Sequence, residues 1–146
     1  MKKTSNIFTD EQALKTIDFH RVLYMLLAVV FFLITEIGRQ VYRPYIYSND
    51  ISDFGLADSI GNLGGIAVQI FFSLAIINSP GKKAINLILF LAGGYVLYEI
   101  LQPYLPKGVF DWLDIYGTLL GGILSLIIIL FIRKFIPNKV LFQFGS

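Results

Sequence analysis

The sequence predicts an all-α integral membrane protein: a bundle of four transmembrane helices, arranged as two pseudo-symmetric helical hairpins, with both termini cytoplasmic. Three observations predict it. Of 146 residues, 55% are hydrophobic and only 15% charged, and the mean hydropathy is +0.69. A soluble domain of this length has too little interior to hide so much apolar surface, so a bilayer is the better solvent. Four apolar runs, at 20–38, 60–78, 84–101 and 112–132, reach or approach the about 20 helical residues that cross a hydrocarbon core.

The third observation is how the charges sort. Four crossings place both chain ends and the short loop 79–83 on one side. That side carries Lys2, Lys3, Lys15, Arg21, Lys82, Lys83, Arg133, Lys134 and Lys139, whereas the opposite side carries only Arg39, Arg43 and Lys107. The positive-inside rule therefore predicts cytoplasmic termini. Acids sort the other way: Asp10, Glu11 and Asp18 lie inside, and Glu36, Asp50, Asp53, Asp58, Glu99, Asp111 and Asp114 lie at or near the outer face. There is no cysteine and a single histidine. Thiol catalysis, disulfides and multi-histidine metal centres are excluded within one chain. A net charge of +2, scattered along the chain, leaves no electrostatic footprint for nucleic acid.

Residues 1–18 form a polar N-terminal segment expected to fold as a short interfacial helix. A cleaved signal peptide needs its apolar stretch nearer the terminus and a small-residue cleavage site. Neither is present, so the first run is kept as a mature helix opening a four-helix domain at 19–135. His20, beside Arg21, is expected to snorkel at the inner interface. The first helix ends on Glu36 and Gln40, spaced i, i+4 on one face. Arg39 and Arg43 follow Glu36 at +3 and +7 and offer it internal neutralisation. A long loop, 39–59, containing Pro44 comes next.

The second helix opens as Asp58-Ser-Ile-Gly61-Asn62-Leu-Gly-Gly65. The third ends on Glu99 and Gln102 and meets Pro103 and Pro106. Glu99 sits where the helix dipole disfavours an anion, and the nearest cation in sequence is Lys107. It calls for a bound proton, or for a partner supplied by another helix or by a ligand. After the loop 102–111, the fourth helix opens on Asp111 and Asp114. Asp111 suits an N-cap. Asp114 and Asp58 lie deeper, each sharing a face with Thr118 or Asn62. Residues 136–146 are a short C-terminal tail.

The second and fourth helices echo one another: acid, glycine at +3, small polar group at +4 (Asn62, Thr118), glycine at +7 and polar group at +11 (Gln69, Ser125). Both first and third helices end on an acid and an amide. This repeat predicts that four polar helix ends converge on one outward-facing spot. Its residues are Glu99, Gln102, Asp111, Asp114 and Thr118, with Glu36, Gln40, Asp58 and Asn62 as counterparts. Gly64–Gly65, Gly93–Gly94 and Gly121–Gly122 are expected to let helix backbones approach closely. Tyr42, Tyr45, Tyr47, Tyr98, Tyr104 and Trp112 near the outer boundary, with Phe19 and Tyr24 near the inner one, form an aromatic belt.

The stretch Tyr98-Glu99-Ile-Leu-Gln102, then Pro106, Phe110-Asp111-Trp-Leu-Asp114-Ile115 and Gly121, resembles the signature of the VanZ-like family of small bacterial membrane proteins. The close match covers about 25 residues, and the four-helix layout agrees with it. Thr118 stands where the family usually has asparagine; threonine keeps a hydroxyl and loses the amide. Lys107 stands at the basic position after the proline and lacks a bidentate fork. The resemblance implies a multi-pass protein of the bacterial cytoplasmic membrane and a theme of cell-envelope biology and antibiotic tolerance, since the family is named for a protein associated with teicoplanin resistance. It implies no reaction.

Three functional classes follow from the residues. In the first, an acidic, amide-bearing pocket binds a cell-wall, lipid or glycopeptide ligand without catalysis, without cofactor or metal, in a chain whose partners are the bilayer and a second copy of itself. In the second, paired carboxylates act as acid and base on a lipid or wall precursor, with or without a divalent cation. In the third, the acids serve ion-coupled transport. The third needs polar groups along a path, and only Asn62, Gln69, Thr118 and Ser125 lie deeper.

Overall fold

The computed structural model describes residues 16–77, 82–106 and 108–143. It contains four helices long and apolar enough to cross a membrane: Phe19–Ser48, Leu56–Ile77, Lys83–Tyr104 and Trp112–Phe135. The chain is therefore an all-α, multi-pass membrane bundle. The end where the two described chain termini meet is called the near end here, and the opposite end the far end.

The first rod begins with Asp18, whose carboxylate caps helix α1 (Phe19–Ile37) by accepting from Arg21 N at 2.9 Å. It does not stop at 38. A π-helical stretch, Gly38–Tyr42, leads directly into helix α2 (Arg43–Ser48). Pro44 has no N–H to give and would break a plain α-helix. Here it falls in the first turn of α2, after a widened turn in which Arg43 N–H bonds to the Gly38 carbonyl. The expected loop 39–59 is thus helical as far as Ser48. Thirty residues at about 1.5 Å each exceed the hydrocarbon thickness, so the rod extends past the apolar slab and carries its arginines there.

The turn into helix α3 (Leu56–Ile77) is built from left-handed residues, Phe54 (φ 58°) and Gly55 (φ 81°). Asp53 anchors it, accepting from Gly55 N at 3.1 Å, Ala57 N at 2.7 Å and the Tyr42 hydroxyl at 3.2 Å. The helix therefore starts ahead of the expected 60. Helix α4 (Lys82–Leu101) tightens into a 3-10 turn, Gln102–Tyr104, as it reaches Pro103. Helix α5 (Trp112–Phe135) is capped by Asp111, which accepts from Leu113 N at 2.8 Å, and ends on Arg133 and Lys134, where cations suit the dipole.

Helix α3 is the axis of the bundle, packed along α1 on one side and α5 on the other, with α4 leaning on α5 and touching α3 more sparsely. Its Ile66, Ala67, Ile70 and Phe71 are completely buried, and Phe71 stacks on Phe31 and Tyr24 of α1. Close approach comes from small residues. A methyl at Gly117 or Gly121 would run into the backbone of Ser59 or Leu63, and one at Gly64 into Thr35. Gly93 and Gly94 do not share this role: no neighbour lies within 4 Å of where their Cβ would be, so that face of α4 points outward.

At the near end, residues 1–15 lie outside the described residues, and the expected interfacial helix does not extend into 16–18. Thr16–Asp18 is a strand, β1, pairing antiparallel with β2 (Val140–Gln143) from the C-terminal tail. The pairing satisfies backbone groups that neither segment could satisfy alone. His20 joins it, taking Asn138 Oδ1 with its backbone N–H at 3.1 Å and donating from Nε2 to the Ile136 carbonyl at 2.8 Å. Arg21 reaches across to the carbonyl of Ala75 at 2.8 Å, closing the last turn of α3.

Candidate functional site

The acid that sequence could not account for is the most buried one near the far end. Glu99 is 2% exposed. Its two oxygens accept from Asn62 Nδ2 of α3 at 3.2 Å and from Gln102 Nε2 at 2.6 Å. The partner from another helix is therefore an amide. Gln102 opens the 3-10 turn three residues after Glu99, a spacing at which side chains on one helix face meet.

Helix register brings α5 to the same place. A Cβ on Gly122 would lie 4.0 Å from Ala92 of α4, so that face of α5 looks at α4. The two helices run antiparallel. Going toward the far end from this contact, α4 reaches Glu99 after two turns, while α5 reaches Thr118 and then Asp114 on the same face. Glu99 accordingly interacts electrostatically with Asp114 and Asp111, and Asp114 with Asp111, Asp58 and Arg43. Asp111 keeps one oxygen on the N-cap bond. Asp114 is partly buried, so the cluster is closed around Glu99 and opens outward at Asp114.

Thr118 is 0% exposed, and its hydroxyl has no hydrogen-bond partner among the described residues. A buried, unpaired hydroxyl costs about 1–3 kcal/mol by mutational measures. It lies one turn beneath Asp114, on the face turned to α4.

Asp58 belongs to an adjoining group. It accepts from Arg43 Nη2 at 3.2 Å and, through a very short contact, from the Tyr47 hydroxyl, while Arg43 Nε also bonds to Tyr47 at 3.1 Å. Arg43 and Tyr47 were not among the expected site residues. Their signal was the i, i+4 spacing, hidden because 39–48 reads as a loop when Pro44 is taken as a stop. Glu36 and Gln40 bond to each other within the first rod. Gln40 donates to Glu36 at 2.8 Å and Arg39 pairs with it at 3.4 Å, which matches the expected internal neutralisation by Arg39. Arg43 goes to Asp58 instead.

Hydrogen bonds and electrostatic interactions join three of the four helix ends expected to converge. Glu99, Gln102, Asn62, Asp114, Asp111 and Thr118 gather between α3, α4 and α5; Asp58 borders them; Glu36 is bonded to Gln40 and Arg39. The repeat is also not a packing repeat. Gly117 and Gly121 are pressed on α3, whereas their counterparts Gly61 and Gly65 have only Arg39 and Tyr95 side-chain ends at the edge of contact. Ser125 is buried and bonded to the Gly121 carbonyl, while Gln69 is exposed. Lys107 lies outside the described residues. Among the described residues, no three His, Cys, Asp or Glu side chains are grouped as metal ligands. No protein-family model, curated protein or solved structure matches the chain.

Proposed function

We propose that the chain is a non-catalytic protein of the bacterial cytoplasmic membrane that binds an envelope-related, glycopeptide-like ligand at its outer face. The polar cluster between α3, α4 and α5 is the binding site. One observation carries this reading. A carboxylate is buried at the far end on two amide donors, with two further carboxylates and an orphan hydroxyl beside it, in a helix region where every such group is costly unless it has a use. The excess of cations on the near side supports cytoplasmic termini, which turns the cluster toward the envelope. The VanZ-like resemblance of Glu99, Gln102, Asp111 and Asp114 supports the theme and the location.

The test is direct binding of labelled teicoplanin to the purified chain in lipid nanodiscs. Glu99→Gln and Asp114→Asn are each expected to weaken it at least about tenfold, equivalent to about 1.4 kcal/mol. Unchanged affinity in both variants removes the proposal.

A further inference from the structure

The balance of charges and hydrogen-bond donors narrows the ligand class, an inference that rests on the site proposed above. Three carboxylates, Glu99, Asp114 and Asp111, interact with one another. Among the described residues the cation that reaches them is Arg43, and it is already committed. Its guanidinium pairs with Asp58 at 3.2 Å and lies over the Tyr47 ring, 5.3 Å from the centroid. Donors are short as well. Glu99 receives two amide N–H groups and Asp111 one backbone N–H, whereas Asp114 has no hydrogen-bond or ion-pair partner among the described residues. Among the described residues the cluster is rich in acceptors and poor in both donors and positive charge.

Thr118 is an independent observation of the same deficit. Two other buried hydroxyls in these helices settle the usual way, by donating to the carbonyl four residues back: Thr35 to Phe31 at 2.6 Å and Ser125 to Gly121 at 2.8 Å. Thr118 makes no such bond to Asp114. Its hydroxyl, one turn from Asp114 on α5, is left without a partner among the described residues and so can still accept from an incoming donor.

We propose that the site takes a primary ammonium group. Such a group brings one positive charge and three N–H donors. Those match the open acceptors of Asp114, the remaining lone pairs of Glu99 and the Thr118 hydroxyl. A quaternary ammonium has the charge without the donors, and an alcohol has a donor without the charge. The same chemistry is offered by an aminated lipid headgroup and by an amine on a soluble envelope ligand.

The experiment is a titration of the full chain in phosphatidylcholine nanodiscs with hexylammonium, hexyltrimethylammonium and hexanol, followed through the side-chain amide NMR signals of Asn62 and Gln102. Hexylammonium is expected to bind at least about tenfold more tightly than the other two. Glu99→Gln should abolish that preference. Thr118→Val should weaken hexylammonium about fivefold or more while leaving the unfolding temperature equal or higher, because a methyl replaces a buried hydroxyl that has no partner. Equal binding of the three probes overturns the assignment, as does a Thr118→Val protein that binds normally and melts earlier. Adding phosphatidylethanolamine identifies the source: competition with hexylammonium names the lipid headgroup, and its absence names a soluble amine. If hexylammonium fails while teicoplanin binding still depends on Glu99 and Asp114, the site stands and the ammonium assignment falls.

Discussion

Glu99 shows what burial does to a single side chain in this protein. A carboxylate at a helix C-terminus opposes the dipole, and the chain offsets this with two amides rather than a cation. Gln102 was legible in the sequence, three residues on. Asn62 was legible as a candidate, but its pairing with Glu99 was not, because nothing in the spacing of α3 says which way α4 turns. Removing the cross-helix donor should therefore be costly. Asn62→Ala is expected to destabilise the protein by about 1–3 kcal/mol, read by equilibrium unfolding in detergent. The same substitution in a Glu99→Gln background should cost less than half as much, and equal costs in both backgrounds would show that the two side chains are not coupled.

At the scale of the helices, glycine position separates contact from open surface. The three expected glycine pairs look alike in sequence, yet Gly121 lies against the backbone of Leu63 while Gly93 meets nothing. Sequence gives the small residues and the phase of each helix; it does not give the neighbour. Gly121→Leu forces α5 off α3 and is expected to cost about 1–3 kcal/mol or more as overpacking. Gly93→Leu only enlarges an outward face, and should leave the detergent unfolding midpoint within the scatter of the parent protein. The first rod teaches a related lesson about boundaries. Pro44 reads as a terminator, and the π turn ahead of it lets the helix continue to Ser48. That continuation carries Arg43 and Tyr47 to Asp58.

For the whole molecule, the near end is tied by β1 and β2 and the far end is held by polar side chains. The clasp links residues more than a hundred positions apart, as in His20 with Ile136, so both described termini share one side whatever the orientation in the membrane. Orientation is then a single binary question, and the chain has no cysteine to confuse the answer. In intact bacteria, Asn49→Cys is expected to react with a membrane-impermeant maleimide, and Lys139→Cys to react only after permeabilisation. The reverse pattern would turn the acidic cluster to the cytoplasm and remove the envelope ligand.

Composition and run length by themselves determined that the solvent is lipid, that the chain crosses it four times, and that acids gather near one end of the bundle. Those properties depend on how many apolar residues lie in a row and where charges interrupt them. The tertiary structure alone decided which acids meet. Spacing within a helix fixes which residues share a face, whereas the direction of that face depends on rotation against a neighbour. Here the rotation is set by Gly117 and Gly121 seating α5 on α3, and it gathers Asn62, Glu99, Asp114 and Thr118.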